Sequence, residues 1–295
     1  MTYINQSRSV STGMLVGSGA VIASLISQNV GAAFAKQLFP IAGAYGVTAL
    51  RIALAALLLL MLFRPWRRLP PRKLLPALIG YGAMLGLMNL LIYQAFARLP
   101  IGVAVGIEVS GPLAVVLLGP RSRRDLIWLA AAVTGLALLL PVRSETALDS
   151  LGLAFAFGAA ACWALYILYG KRVSTALGND AVAWGMVMAA LINLPMGIIT
   201  AGPVLLSPWV LGVGLIVAIL SSALPYTLEM EAMRRVPAHV LGILLSTAPA
   251  VAAIAGLFVL GEILTPLQWG AIVLIMIASG GSAASAAASI DERQS

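Results

Sequence analysis

Glu108 is the residue of this sequence least suited to its surroundings, because it stands inside the apolar run 101–119. A carboxylate at membrane depth costs several kcal/mol unless it is paired, hydrated or protonated. Two readings follow. Arg51 lies at a comparable depth in the run 45–63 and supplies an ion-pair partner; alternatively, Glu108 receives a substrate ammonium group or a coupling proton. Pro112, four residues further on, has no N–H, so the carbonyl of Glu108 is freed beside its side chain. By the same rule Pro225 frees the carbonyl of Ser221 and Pro249 that of Leu245, and all three prolines are candidate helix breaks or gating points.

Other polar groups line up with these. Asn89 and Tyr93 are one helical turn apart with Phe96 next, and 137 residues later Tyr226, Met230 and Met233 occupy the equivalent positions. Glu229 joins that face, although it lies nearer the cytoplasmic end, where it and Glu231 are expected to snorkel. Gln28 and Asn29 sit in the run 13–35, while Trp163 and Tyr166 share a face of the run 151–171. Ser246, with Thr247, adds a hydroxyl one turn before Pro249. Gln28, Asn89, Tyr93, Glu108, Trp163, Tyr166, Tyr226, Glu229 and Ser246 are therefore the candidate substrate-binding set. Gly102, Gly106 and Ser110 form a smooth stripe that lets another helix approach closely.

The elements that must hold these groups are set by composition. The chain has 295 residues, 61% of them hydrophobic and 9% charged, with a mean hydropathy of +1.02. Such a composition belongs to an integral membrane protein. At about 20 apolar residues per span, helices are expected at 13–35, 45–63, 74–97, 101–119, 125–141, 151–171, 180–200, 209–231, 238–260 and 266–288. The first run exceeds a signal peptide's core and is expected to be retained. With the N-terminus inside, Lys36, Arg98 and Arg143 are the loop cations left outside, so both termini are expected in the cytoplasm. The net charge of +8 is then loop charge facing anionic lipid, not a nucleic-acid footprint.

Ten helices divide into two fives, and the second five enter the membrane inverted. Arg98, Pro100, Val103 and Pro112 recur as Arg235, Pro237, Val240 and Pro249, again at an offset of 137. Residues 1–143 and 144–295 are the expected halves, and an inverted repeat is the usual frame of an alternating-access carrier with its substrate near the midplane. A single cysteine, Cys162, and a single histidine, His239, exclude a disulfide framework and a multi-ligand thiolate or imidazole metal site. No phosphate-binding glycine loop and no helix-buried histidine beside a serine is present. The chain is expected to be no enzyme, to need no cofactor and to have no obligate protein partner.

The stretches FAKQLFPIAGAYGVTALRIAL (34–54), LMNLLIYQAFARLPIGVAVGIEVSGPLAV (87–115), ACWALYILYGKR (161–172), AILSSALPYTLEMEAMRRVP (218–237) and LGEILTP (260–266) resemble the drug/metabolite transporter superfamily. Within it they look most like bacterial amino-acid exporters of the threonine/homoserine and aromatic amino-acid types. The resemblance implies an all-α inner-membrane exporter with a cavity lined by helices one, three, four, six, eight and nine. A carrier of lipophilic cations or other small metabolites is the second reading. Glu108 or Glu229 would carry a coupling proton, and the residues do not decide between proton antiport and downhill facilitation.

Overall fold

Prolines and tight turns punctuate this chain, with side-chain caps at Asp149 and Thr265. In the computed structural model, residues 2–117, 123–139, 149–235 and 244–294 are described. The helices are α1 (Thr2–Gln37), α2 (Phe39–Phe63), α3 (Leu75–Phe96), α4 (Ile101–Glu108), α5 (Ser110–Leu117) and α6 (Arg123–Leu139). They continue as α7 (Ser150–Leu177), α8 (Asn179–Ala201), α9 (Pro208–Ala218), α10 (Leu224–Arg235), α11 (Ala248–Ala255) and α12 (Pro266–Gln294). Prolines open α2, α3 and α9, where a missing N–H costs nothing. Asp149 caps α7 instead: its carboxylate accepts from the N–H groups of Leu151 and Gly152 and pairs with Arg98. The Arg98 hydrogen bond holds the Asp149 carboxyl below the usual carboxylate range.

Six stretches are long and apolar enough to cross a bilayer: Leu15–Gln37, Phe39–Phe63, Arg72–Phe96, Ser150–Val173, Asn179–Leu206 and Pro208–Glu229. Shorter apolar helices cover Ile101–Val115, Ile127–Leu138, Ala248–Leu260 and Pro266–Gly281. Among the described residues the fold is thus all-helical, with several stretches able to cross a membrane.

Three of the expected helices are interrupted. The run 101–119 kinks at Val109, where the ring of Pro112 would press on the carbonyl of Glu108. The run 209–231 passes from α9 to α10 through a π-helical turn at Ile219–Ala223, just ahead of Pro225. Residues 246–247 form a turn, so Pro249 lies in the first turn of α11 rather than in mid-helix. His239 and the expected start of that helix lie outside the described residues.

Packing pairs early helices with late ones: α2 lies on α8, α3 on α7 and α8, α1 on α10 and α11, α4 on α11, and α6 on α12. Small residues make the approaches close. A Cβ at Gly102 would strike Ala253 of α11, as the expected stripe requires, and one at Gly111 would strike the backbone carbonyl of Ala160 in α7. Gly111→Ala is therefore expected to cost about 1–3 kcal/mol by overpacking. Gly158→Ala, whose methyl meets a movable Leu91 side chain, should be tolerated. Thermal melting of both variants in detergent checks the contrast.

Candidate functional site

The kinked and interrupted helices meet at a buried pocket of about 70 Å³, room for several water molecules. Its wall is contributed by α1 (Gln28, Asn29), α3 (Asn89, Tyr93, Phe96), α4 (Glu108), α7 (Trp163, Tyr166), α10 (Tyr226, Glu229) and the segment leading into α11 (Leu245). Arg51 of α2 also reaches it. Of the nine residues singled out in the sequence, eight border this space. Ser246 does not: it is buried against Gly280 of α12.

Arg51 is 1% exposed and organises one side of the pocket. Its Nη1 donates to the Ser221 carbonyl at 3.1 Å and to the Ser222 hydroxyl, and its Nη2 donates to Asn89 Oδ1 at 2.5 Å. The guanidinium also lies 4.3 Å from the centre of the Tyr93 ring, a cation–π distance. The acceptors exist because of local backbone chemistry. In the π turn the Leu224 N–H bonds back to Ile219, and Pro225 has no N–H to offer. The carbonyls of Leu220 and Ser221 are thus left without their usual helical donors. Ser27 of α1 donates to the first at 2.7 Å and Arg51 to the second, so neither of these two carbonyls is left without a donor.

Asn89 is oriented by its neighbours. Arginine only donates, so Oδ1 turns toward Arg51, and Nδ2 donates to the Leu85 carbonyl at 2.8 Å and the Tyr226 hydroxyl at 3.3 Å. Asn89 and Tyr226, matched at an offset of 137 in the sequence, therefore touch.

Glu108 is not the partner of Arg51. No ion pair joins them, because depth along two helices fixes one coordinate while the rotation of each helix decides which side chains meet. The Glu108 side chain borders the pocket with neither ion pair nor hydrogen bond among the described residues. Glu229 also differs from expectation: rather than snorkelling to the surface, it is half-buried in the pocket wall. The Tyr93 hydroxyl is buried without a hydrogen-bond partner among the described residues.

Two groups escaped the sequence reading. Tyr81 stacks on Tyr166 at 4.9 Å between ring centres, with the hydroxyls 3.3 Å apart. The i, i+4 stripe through Asn89 and Tyr93, extended backward two turns, would have found it. The second is Glu262, whose Oε1 pairs with Lys36 at 2.6 Å while Oε2 accepts from the Ile101 N–H that opens α4. Lys36 also donates to the Leu99 carbonyl at 2.9 Å.

Long apolar helices around a buried pocket with polar walls are the frame a small-solute transporter needs. Residues 150–282 match the EamA-like transporter family. The chain is 47% identical over 264 residues, 89% of each sequence, to the threonine/homoserine exporter RhtA of Escherichia coli (strain K12). It is 48% identical over 254 residues to that of Salmonella typhimurium (strain LT2), covering 85% of this chain and 86% of the relative. An uncharacterized transporter of Bacillus subtilis (strain 168), YwfM, is 27% identical over 60% of this chain and 63% of its own. The chain belongs to the EamA-like transporter family of the drug/metabolite transporter superfamily, and its relatives are carriers, not enzymes. A crystal structure 16% identical to it shares the fold, with a TM-score of 0.62 over 93% of this chain and 98% of that one.

Proposed function

We propose that this protein exports threonine, homoserine and closely related small amino acids across the bacterial inner membrane by alternating access. The observation that carries the reading is the 47% identity, over 89% of both chains, to a threonine/homoserine exporter. The pocket suits such a solute. An amino-acid zwitterion needs a donor for its carboxylate and an acceptor for its ammonium group. Arg51 and Tyr226, both held by Asn89, form the donor side, and Glu108, which no described residue neutralises, forms the acceptor side. Gln28, Tyr93 and Tyr166 offer hydroxyl and amide partners to a hydroxylated side chain, and Trp163 closes the wall. Arg51 disfavours the lipophilic-cation reading, since a permanent cation would face a buried guanidinium.

The moving parts are two inverted halves of five spanning helices, 1–143 and 144–295, with both termini cytoplasmic. The packing supports this: α3 on α7 has its counterpart in α10 on α1, and α4 on α7 in α11 on α1. The helix breaks at Val109 and Ser246 sit at the same offset as Asn89 and Tyr226. Both ion pairs among the described residues, Lys36–Glu262 and Arg98–Asp149, join one half to the other where α1 ends and α4 and α7 begin. They hold that face shut, and release to the outside requires breaking them. In a Cys162→Ser background, Glu262→Gln is expected to raise the reactivity of a cysteine at Phe96 toward a membrane-impermeant maleimide. Unchanged reactivity would reject the gate.

Counterflow in proteoliposomes tests the function. Saturable, trans-stimulated uptake of threonine and homoserine, exceeding that of phenylalanine, is the expected result. Transport of tetraphenylphosphonium without transport of any amino acid overturns the assignment. A pH jump across the vesicle that leaves threonine flux unchanged excludes Glu108 and Glu229 as carriers of a coupling proton.

A further inference from the structure

The turn between α2 and α3 carries a feature that transport does not use. Residues 64–73, RPWRRLPPRK, place Arg64, Arg67, Arg68, Arg72 and Lys73 in one short connection between two stretches long and apolar enough to cross a bilayer, all exposed. None has an ion-pair partner among the described residues. A run of like charges with no acid nearby repels itself, and an anion held among them relieves that repulsion.

The segment is ordered by its own hydrogen bonds. The Arg67 N–H donates to the Arg64 carbonyl at 3.1 Å and the Arg68 N–H to the Pro65 carbonyl at 3.2 Å. Arg64 itself has φ 50°, a left-handed conformation that a side-chain-bearing residue adopts at a cost, and it is the only non-glycine residue described with positive φ. This geometry makes a groove of about 340 Å³ lined by Met61, Arg64, Trp66 and Arg67. Trp66 is half exposed, and below it Met61 and Leu62, at the end of a membrane-crossing helix, are exposed to 71% and 66%.

We propose that this groove is a binding site for an anionic phospholipid, with the phosphate held between Arg64 and Arg67 and the acyl chain lying along Met61 and Leu62. Guanidinium groups bind phosphate oxygens in a fork geometry. An indole at the headgroup level packs on the glycerol region. The apolar floor selects a lipid over a free phosphate, because a soluble phosphate leaves Met61 and Leu62 uncovered. The basic cluster matches the lipid's charge in the manner of other juxtamembrane polybasic segments.

The full chain, purified in detergent, is titrated with phosphatidylglycerol and with phosphatidylcholine of the same chains, and retained lipid is counted by native mass spectrometry. Phosphatidylglycerol is expected to be retained about tenfold or more over phosphatidylcholine, with glycerol phosphate failing to displace it. Arg64→Gly combined with Arg67→Gln should remove that preference. The glycine suits a φ of 50°, so the turn survives the loss of the side chain. Arg72→Gln combined with Lys73→Gln removes the same charge away from the groove and should leave the preference within about twofold of the parent, since surface charge falls off only over a Debye length. Equal retention of the two lipids, displacement by glycerol phosphate, or equal loss in both double variants overturns the site.

Discussion

Replacing Glu108 by glutamine is expected to cut threonine counterflow by about tenfold to a hundredfold, the loss of one charge-assisted hydrogen bond to an ammonium group. Folding should not suffer. Glu108 makes no hydrogen bond or ion pair among the described residues, so the substitution leaves no protein group orphaned. A carboxylate at membrane depth without a partner is itself a cost of about 2.5–3.5 kcal/mol or more, and the amide removes much of it. The variant should therefore melt at or above the parent's temperature while transporting poorly, the signature of a group kept for function against stability. Glu108→Asp keeps the charge and draws it back by one methylene, so it should retain part of the flux. A glutamine variant that transports at the parent's rate would remove Glu108 from the substrate site.

The order of the helices was legible because lipid demands uninterrupted apolar length, and the runs 45–63 and 74–97 could not be anything else. The odd residues were legible too. Arg51, Asn89, Glu108 and Tyr226 each stand where an aliphatic side chain would be cheaper, and all four border one pocket. What the residues did not carry was azimuth. Arg51 and Glu108 stand about equally far into the runs 45–63 and 101–119, yet Arg51 turns toward the π turn before Pro225, which offers it a bare carbonyl. A π turn has no sequence signal of its own, so that acceptor was visible only as the missing N–H of a proline. Glu262 was missed for a different reason. It lies in the connection Gly261–Thr265, and a connection has no periodicity from which to place a side chain. Only the fold shows that it reaches Lys36 and the start of α4.

Arg51→Leu should produce the opposite phenotype to Glu108→Gln. The guanidinium ties α2 to the π turn through Ser221 and Ser222 and to α3 through Asn89. Leucine fills part of the volume but donates nothing, so the Ser221 carbonyl and the Asn89 amide oxygen lose their donor. Breaking one partner of a buried charged network costs about 3–5 kcal/mol, enough to lower the yield of folded protein in the membrane. Arg51→Lys keeps the charge without the planar fork that spans the π turn and α3, so it should recover stability only in part. The cycle with Asn89→Leu distinguishes a network from separate contacts. If Arg51 and Asn89 act together, the double variant should be less damaged than the sum of the singles by about 0.5–3 kcal/mol. Additive losses, or an Arg51→Leu protein as stable as the parent, would show that the hydrogen bonds to Ser221, Ser222 and Asn89 do not hold the pocket's donor side together. In that case Arg51 would be free to act on the substrate alone, and the loss of counterflow in Arg51→Leu would appear as a raised KM rather than as lost protein.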